Sequence, residues 1–254
     1  MKVLVLGASG MLGHCMLRCL YQYKYISVYG SVRSYQSIKK LAPELQERCM
    51  IIKNVMDDAD IFTKLEKLKL DVIINCVGVV KQKHESKDPI QSIAINALLP
   101  HRLAAFCKSA NSRLVHISTD CVFSGQKGGY TESDVCDAVD LYGRSKLLGE
   151  VFSPNAITVR TSIIGHELEN RNGLIEWFLS QHGDVKGYNN AIFSGLPTCE
   201  LAEVIINYIL PNPEKNGLFH LSAAPISKYK LLKLVSNIYR KEININQDHE
   251  VIID

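Results

Sequence analysis

The sequence predicts an α/β fold: a Rossmann-type, doubly wound parallel sheet with a small C-terminal substrate lobe interleaved into it. Three observations carry this reading. Short apolar runs alternate with amphipathic segments up to about residue 161, a glycine-rich turn follows the first run, and the alternation then becomes irregular. With 254 residues, there is chain enough for one large domain and an attached lobe. Apolar residues make up 46% and charged residues 22%, so an ordinary globular protein is expected rather than a disordered or fibrous one.

Residues 3–6, 26–29, 50–52, 72–75, 114–117 and 157–160 are compact apolar runs and read as buried strands. Between them, residues 11–22, 34–47, 58–68, 89–109 and 140–152 show helical spacing. Strand and helix in alternation, joined by right-handed crossovers, give a sheet covered on both faces. Pro100 falls inside the fifth helical pattern, and a bend is expected there, because apolar spacing resumes at Leu103 and Phe106. Beyond residue 161, helices are expected at 173–181, 199–209 and 227–240, with a turn-rich connector at 211–217. The predicted division is 1–161 plus 196–211 for the cofactor domain and 162–195 plus 212–254 for the small lobe.

Several function classes are disfavoured. The formal charge of +3 is too small and scattered for nucleic acid. No stretch approaches a membrane span, and the apolar run before Gly7 is too short for a signal peptide. The eight cysteines form no CxxC pair and most sit in apolar runs, which suits a reducing compartment. The histidines show no metal-ligand spacing, so no metal is expected. A cytoplasmic protein is expected, with no nucleic-acid or membrane partner; a homodimer is compatible with the sequence.

Gly7-Ala8-Ser9-Gly10-Met11-Leu12-Gly13 joins the first strand to the first helix. Gly7 permits a tight turn, Gly10 lets backbone approach a diphosphate, and Gly13 lets the helix pack closely on the sheet. The N–H groups of the helix start, from Ser9 through Leu12, then face the phosphates. At the end of the second strand, Tyr29-Gly30-Ser31-Val32-Arg33-Ser34 carries no acid to meet a ribose hydroxyl. Ser31 and Arg33 suit a 2′-phosphate instead, so NADP(H) is expected, with NAD(H) as the alternative.

Tyr142 and Lys146 form a YxxxK pair, which a helix places on one face, one turn apart. A free phenol titrates near ~10, and a neighbouring ammonium is expected to lower that value and ease proton transfer. Ser118 and Thr119 end the fifth strand, where parallel sheets bind ligands, and a hydroxyl there can bond the substrate oxygen. Backbone capping is the plainer role for the same hydroxyls.

Taken together, the glycine turn, Asn75, Asn96, Thr119, Tyr142 and Lys146 resemble the extended short-chain dehydrogenases/reductases. The run Ser118-Thr119-Asp120-Cys121-Val122-Phe123-Ser124-Gly125 is similar to the STDxVFxG segment of dTDP-4-dehydrorhamnose reductases. Arg160-Thr161-Ser162, Gly195-Leu196-Pro197-Thr198 and Gly217-Leu218-Phe219-His220-Leu221 extend the likeness over essentially the whole chain. The resemblance implies NADPH-dependent reduction of a 4-keto-6-deoxy nucleotide sugar for surface polysaccharide. It implies that Tyr142 protonates the sugar oxygen, Lys146 tunes Tyr142 and binds ribose, and Thr119 positions the keto oxygen with Asp120 close by. It also implies that Cys76, Val77 and Gly78 border the cofactor and that Asn96 supports the lysine.

Two departures from the family stand out. Ile163-Ile164-Gly165-His166 replaces an aromatic expected after the sixth strand. The sequence closes on Val251-Ile252-Ile253-Asp254, which reads as cut within an element, ahead of the family's basic segment and final helix. A 4,6-dehydratase is disfavoured because Cys121 stands where that enzyme needs a glutamate base. A nucleotide-sugar 4-epimerase and a non-catalytic NADP-binding regulatory subunit stay open. Lys81 and Lys83 read as a solvated loop or a contact to substrate phosphates, Arg160 as a buried ion pair or a pocket residue, and Trp177 as core or interface.

Overall fold

A computed structural model describes residues 1–80, 88–168 and 171–254; Lys81 and Lys83 lie outside the described residues. Thirteen strands are described: β1 (Lys2–Leu6), β2 (Ser27–Val32), β3 (Cys49–Ile51), β4 (Val72–Asn75), β5 (Arg113–Ile117), β6 (Ala156–Arg160), β7 (Ile163–Ile164), β8 (Val185–Tyr188), β9 (Ile192–Phe193), β10 (Leu196–Pro197), β11 (Gly217–His220), β12 (Ile226–Ser227) and β13 (Ile245–Asp248). Seven of them form one parallel sheet in the order β11-β6-β5-β4-β1-β2-β3. The order reverses between β1 and β4, which opens a crevice at their carboxyl ends.

The helices are α1 (Met11–Tyr21), α2 (Tyr35–Lys39), α3 (Pro43–Gln46), α4 (Asp58–Leu68), α5 (Pro89–Ser92), α6 (Leu99–Ser109), α7 (Leu141–Leu148), α8 (Leu174–Ser180), α9 (Thr198–Val204) and α10 (Lys228–Tyr239). The alternating pleat of β1 explains why its whole length is apolar. Val3 and Val5 pack with Met16, Leu20, Leu201 and Ile205 on one face, while Leu4 and Leu6 pack with Ile61, Leu65, Leu99 and Leu103 on the other. Each such side chain, removed from water, stabilises the fold by roughly 1.5–3 kcal/mol. A separate small core (Ile175, Phe178, Val185, Leu232, Val235 and Ile245) binds α8 and α10 to the two-stranded β8–β13 ribbon.

Two expectations need correction. The helix predicted over 34–47 is two, because Ala42, preceding Pro43, is extended at φ −56°, ψ 142°. At Pro100 the helical path is not broken: a π-turn (Ile93–Leu98) leads directly into α6, where the proline's missing N–H falls in the first turn. Residues 217–220 were assigned to the small lobe, yet β11 pairs with β6 from Gly217↔Ile157 to His220↔Arg160 and completes the large sheet. No helix among the described residues is long and apolar enough to cross a membrane.

Candidate active site

A cleft of about 410 Å³ lies over the carboxyl ends of β1, β4, β5 and β6. Ser9, Gly10, Met11 and Leu12 line it from the glycine turn, and Cys76, Val77 and Gly78 from the end of β4. Thr119, Asp120, Tyr142 and Lys146 line it too. The turn is built as its glycines require. Gly7 adopts φ +86°, and a Cβ on Gly13 would stand 2.1 Å from the Gly7 carbonyl oxygen, so α1 sits directly on the turn. Gly10 differs: a Cβ there would meet nothing nearer than 3.5 Å, so the protein's own packing does not demand a glycine. Gly10 also begins α1 without a side-chain cap. Open space before uncapped helical N–H groups is what a diphosphate needs, and the residues present fit a dinucleotide.

Tyr142 and Lys146 project from one face of α7 into this cleft. The helix is placed by two contacts. Asp140 caps it through Oδ1, which accepts the Gly143 N–H at 2.7 Å. Gly143 lies so close to the preceding loop that a Cβ would stand 2.2 Å from the Cys121 carbonyl oxygen. That approach brings Tyr142 close enough to Thr119 for the hydroxyl to act on the phenol. The Thr119 hydroxyl also donates to Asp120 Oδ1 at 3.0 Å and accepts the Cys121 N–H at 3.2 Å, so capping and a site role coexist.

The electrostatics correct one expectation. Burial pushes the Tyr142 phenol up from its ordinary value, with Cys121 and Asp120 adding to the rise and the Thr119 hydrogen bond opposing it. Lys146 is not the ammonium partner of the phenol: its Nζ donates to the Ile117 carbonyl at 2.7 Å. Burial brings the Lys146 amine down to about 8, against the pull of Glu150 and Cys76. His116, fully buried beneath, is held well below its usual value by burial first and by Lys146 second, and adds no second cation. Burial pushes the Cys76 thiol up to about 12, so it lines the cleft as an apolar group.

Asn96, Ser31 and Arg33 stand apart from the lining. Asn96 is buried behind the wall, where its Oδ1 accepts the Val79 N–H at 2.8 Å and its Nδ2 donates to the Val79 carbonyl at 3.0 Å and to Ser145 Oγ at 3.1 Å. It ties the loop after β4 to α7. The Ser31 hydroxyl accepts the Gly7 N–H at 3.2 Å and so braces the turn. Arg33 is exposed beyond the end of β2. Ser118 donates to Glu150 Oε1 at 2.9 Å, and Arg160 forms a two-pronged buried pair with the same carboxylate, at 2.7 Å for each contact. Arg160 is therefore an ion-pair residue.

Among the cleft residues that escaped sequence reasoning, two bear on chemistry. Lys228, at the start of α10, and Phe193, in β9, enter the cleft from the small lobe, with Lys228 Nζ 4.3 Å from the Phe193 ring centroid. Their local patterns are those of any helix start and short strand. Gly143 was visible inside the Tyr-Lys motif, but only the contact with Cys121 gives it a purpose.

Comparison with known proteins follows this geometry. The chain is 31% identical over 170 residues to a probable low-salt glycan biosynthesis reductase, Agl14, of Haloferax volcanii, covering 65% of this chain and 54% of that protein. It is 26% identical over 234 residues to the dTDP-4-dehydrorhamnose reductase of Aggregatibacter actinomycetemcomitans, covering 88% of this chain and 74% of that protein. The chain thus spans about half the length of the first relative and about three quarters of the second. The crystal structure of dTDP-4-dehydrorhamnose reductase from Bacillus anthracis in complex with NADP shares the fold, with a TM-score of 0.78, 20% identity, and coverage of 98% of this chain and 84% of that one. The profile of the RmlD substrate binding domain matches residues 1–248, and the chain belongs to that family.

Proposed function

We propose that this chain is an NADPH-dependent reductase of a 4-keto-6-deoxy nucleotide sugar of the dTDP-4-dehydrorhamnose kind, working in the cytosol to supply a deoxysugar for surface polysaccharide. One observation carries the reading: Tyr142, Thr119 and Lys146 share a single cleft with the glycine turn. The relatives named as reductases, one of them for glycan biosynthesis, support it. The NADP complex of the Bacillus anthracis protein and the lack of an acid after β2 favour NADP(H), with NAD(H) as the second choice.

When bound, the reduced nicotinamide supplies hydride to the sugar carbonyl carbon. Tyr142 gives its phenolic proton to the carbonyl oxygen, and the Thr119 hydroxyl holds that same oxygen as charge develops on it. Lys146, held by the Ile117 carbonyl, binds the ribose. Gly10 and the N–H groups of Met11 and Leu12 receive the diphosphate. The cofactor is held by 1–161 and 196–211 together with β11, and the remaining residues close over the sugar.

The test is NADPH consumption with dTDP-4-dehydrorhamnose, followed by product analysis. Wild type consumes one NADPH per sugar, and Tyr142→Phe loses about 10²–10⁴-fold in kcat while still binding NADPH. Interconversion of 4-epimers without net NADPH consumption, or cofactor binding without turnover across a panel of sugars, would refute the proposal in favour of an epimerase or a binding subunit.

A further inference from the structure

We propose that Lys228 and Asp120 form the sugar-selecting pair of this cleft, gripping ring hydroxyls of the sugar and not the diphosphate that links it to the nucleotide. The inference rests on the reading of the cleft as a nucleotide-sugar reductase site and extends it to a residue of the small lobe.

Lys228 is fixed at its backbone, and its tip rests on an aromatic ring. It opens α10, whose first turn is capped by Ser227 Oγ accepting the Lys230 N–H at 3.2 Å. The side chain then runs into the cleft that holds Tyr142 and Thr119. Its ammonium lies over the Phe193 ring, 4.3 Å from the centroid. The ring has its own seat: a Cβ on Gly195 would stand 2.4 Å from Phe193 Cζ, so Gly195 leaves the space that the ring fills. Phe193 thereby supplies, from β9, the aromatic wall that Ile163 and Ile164 do not.

The ammonium has three N–H donors, and among the described residues it makes no hydrogen bond and no ion pair within 4 Å. Burial lowers its proton affinity, while Asp120 and Cys121 oppose that fall. The three donors stand in the cleft with the Phe193 ring beside them, where a ligand oxygen can accept from them.

The neighbouring charge selects which oxygen. Asp120 lines the same cleft as Lys228, and its charge favours the ammonium form. A diphosphate placed on Lys228 would bring its negative charge to Asp120, whereas a hydroxyl can accept from the ammonium and donate to the carboxylate. Position agrees. Asp120 Oδ1 already accepts from Thr119 Oγ1 at 3.0 Å, and Thr119 contacts Tyr142, so the pair stands beside the proton donor, where the sugar ring must lie for its keto oxygen to be reached.

Calorimetric titration of the full chain with dTDP-L-rhamnose and with dTDP, in the presence of NADP, separates the two readings. Lys228→Met is expected to weaken dTDP-L-rhamnose binding about tenfold to a hundredfold and to leave dTDP binding within about twofold. Lys228→Arg, which keeps the cation, recovers most of the loss. In turnover, Lys228→Met raises KM far more than it lowers kcat. Equal losses for dTDP and the sugar nucleotide would mean that the lysine reads the diphosphate, and no loss would mean that it is structural; either overturns the proposal. Unchanged NADP affinity and melting temperature report that the variants are folded, and Lys228→Gln replaces Lys228→Met if the apolar variant is not. Wild-type protein that binds the sugar nucleotide but never oxidises NADPH sinks the reductase reading alone, since the binding comparison still decides on Lys228.

Discussion

Two glycines three residues apart should respond in opposite ways to the same methyl group. At Gly10 an alanine Cβ finds its nearest neighbour at 3.5 Å, and the backbone, at φ −75° and ψ 168°, is open to any residue. The fold should therefore tolerate Gly10→Ala within about 1 kcal/mol, the cost of alanine at a helix N-cap. The methyl instead occupies the approach of the cofactor diphosphate. Losing one charge-assisted hydrogen bond from the helix start costs about 1.5–3 kcal/mol, or roughly a 10- to 150-fold rise in Kd for NADPH. At Gly13 the same methyl would stand 2.1 Å from the Gly7 carbonyl oxygen and 2.8 Å from the Gly7 carbonyl carbon, both backbone atoms. Helix α1 must lift, and overpacking of this kind costs about 1–3 kcal/mol, read as a Tm lower by about 2–4 °C for each kcal/mol. Fluorescence titration with NADPH and thermal melts read both variants. Wild-type affinity in Gly10→Ala, or a fall in its Tm as large as that of Gly13→Ala, would refute the assignment of Gly10 to the cofactor and leave the turn as plain architecture.

Two further predictions concern buried charge. Glu150→Gln leaves Arg160, 5% exposed, without its carboxylate, and should lower stability by about 3–5 kcal/mol in urea unfolding; a loss under about 1 kcal/mol would show that the pair is not needed. Lys146 has its amine at about 8 in the folded protein against an ordinary 10.5, so between these values the unfolded chain binds more protons and folding stability rises with pH. Wild type should therefore gain on Lys146→Met as pH is raised from about 8 to about 10.5, by on the order of 3 kcal/mol in all, and parallel stability curves would refute the shift.

Most of the fold was legible because a parallel sheet buried on both faces leaves uninterrupted apolar runs, and β1, β4 and β6 are buried along nearly their whole length. What could not be read was sheet order at the far edge. The run Gly217-Leu218-Phe219-His220 is only partly buried and carries no mark that it pairs with β6 rather than with a strand of the small lobe. The site divides in the same way. Residues whose function lies in their own chemistry and spacing, Tyr142, Lys146 and the glycines, stood out along the chain. Residues that act by holding backbone do not stand out in that way: the sequence assigns Ser31 to a 2′-phosphate and the resemblance assigns Asn96 to the lysine, whereas the structure has them bracing Gly7 and Val79. Lys228 reaches the cleft from the start of α10, beside the β9–β12 pair, and no local spacing encodes that placement.

The charge states of the central pair bear on the proton step of the reaction. A catalyst that oxidises an alcohol needs a phenolate to take the proton, and a neighbouring ammonium would provide it. Here the phenol of Tyr142 is pushed up by burial and by the negative side of Asp120 and Cys121, while Lys146 spends a hydrogen bond on the Ile117 carbonyl. A phenol held protonated is in the state that a reduction requires, since the proton must leave it as hydride arrives at carbon. The same burial makes the phenol a weaker acid, and the Thr119 hydrogen bond, which opposes the rise, is the one local contact that recovers part of the driving force. Thr119→Val should therefore slow the reductive direction, with kcat falling while NADPH affinity and melting temperature stay at their wild-type values. Wild-type kcat in that variant would remove Thr119 from the proton step and leave it as the cap that accepts the Cys121 N–H.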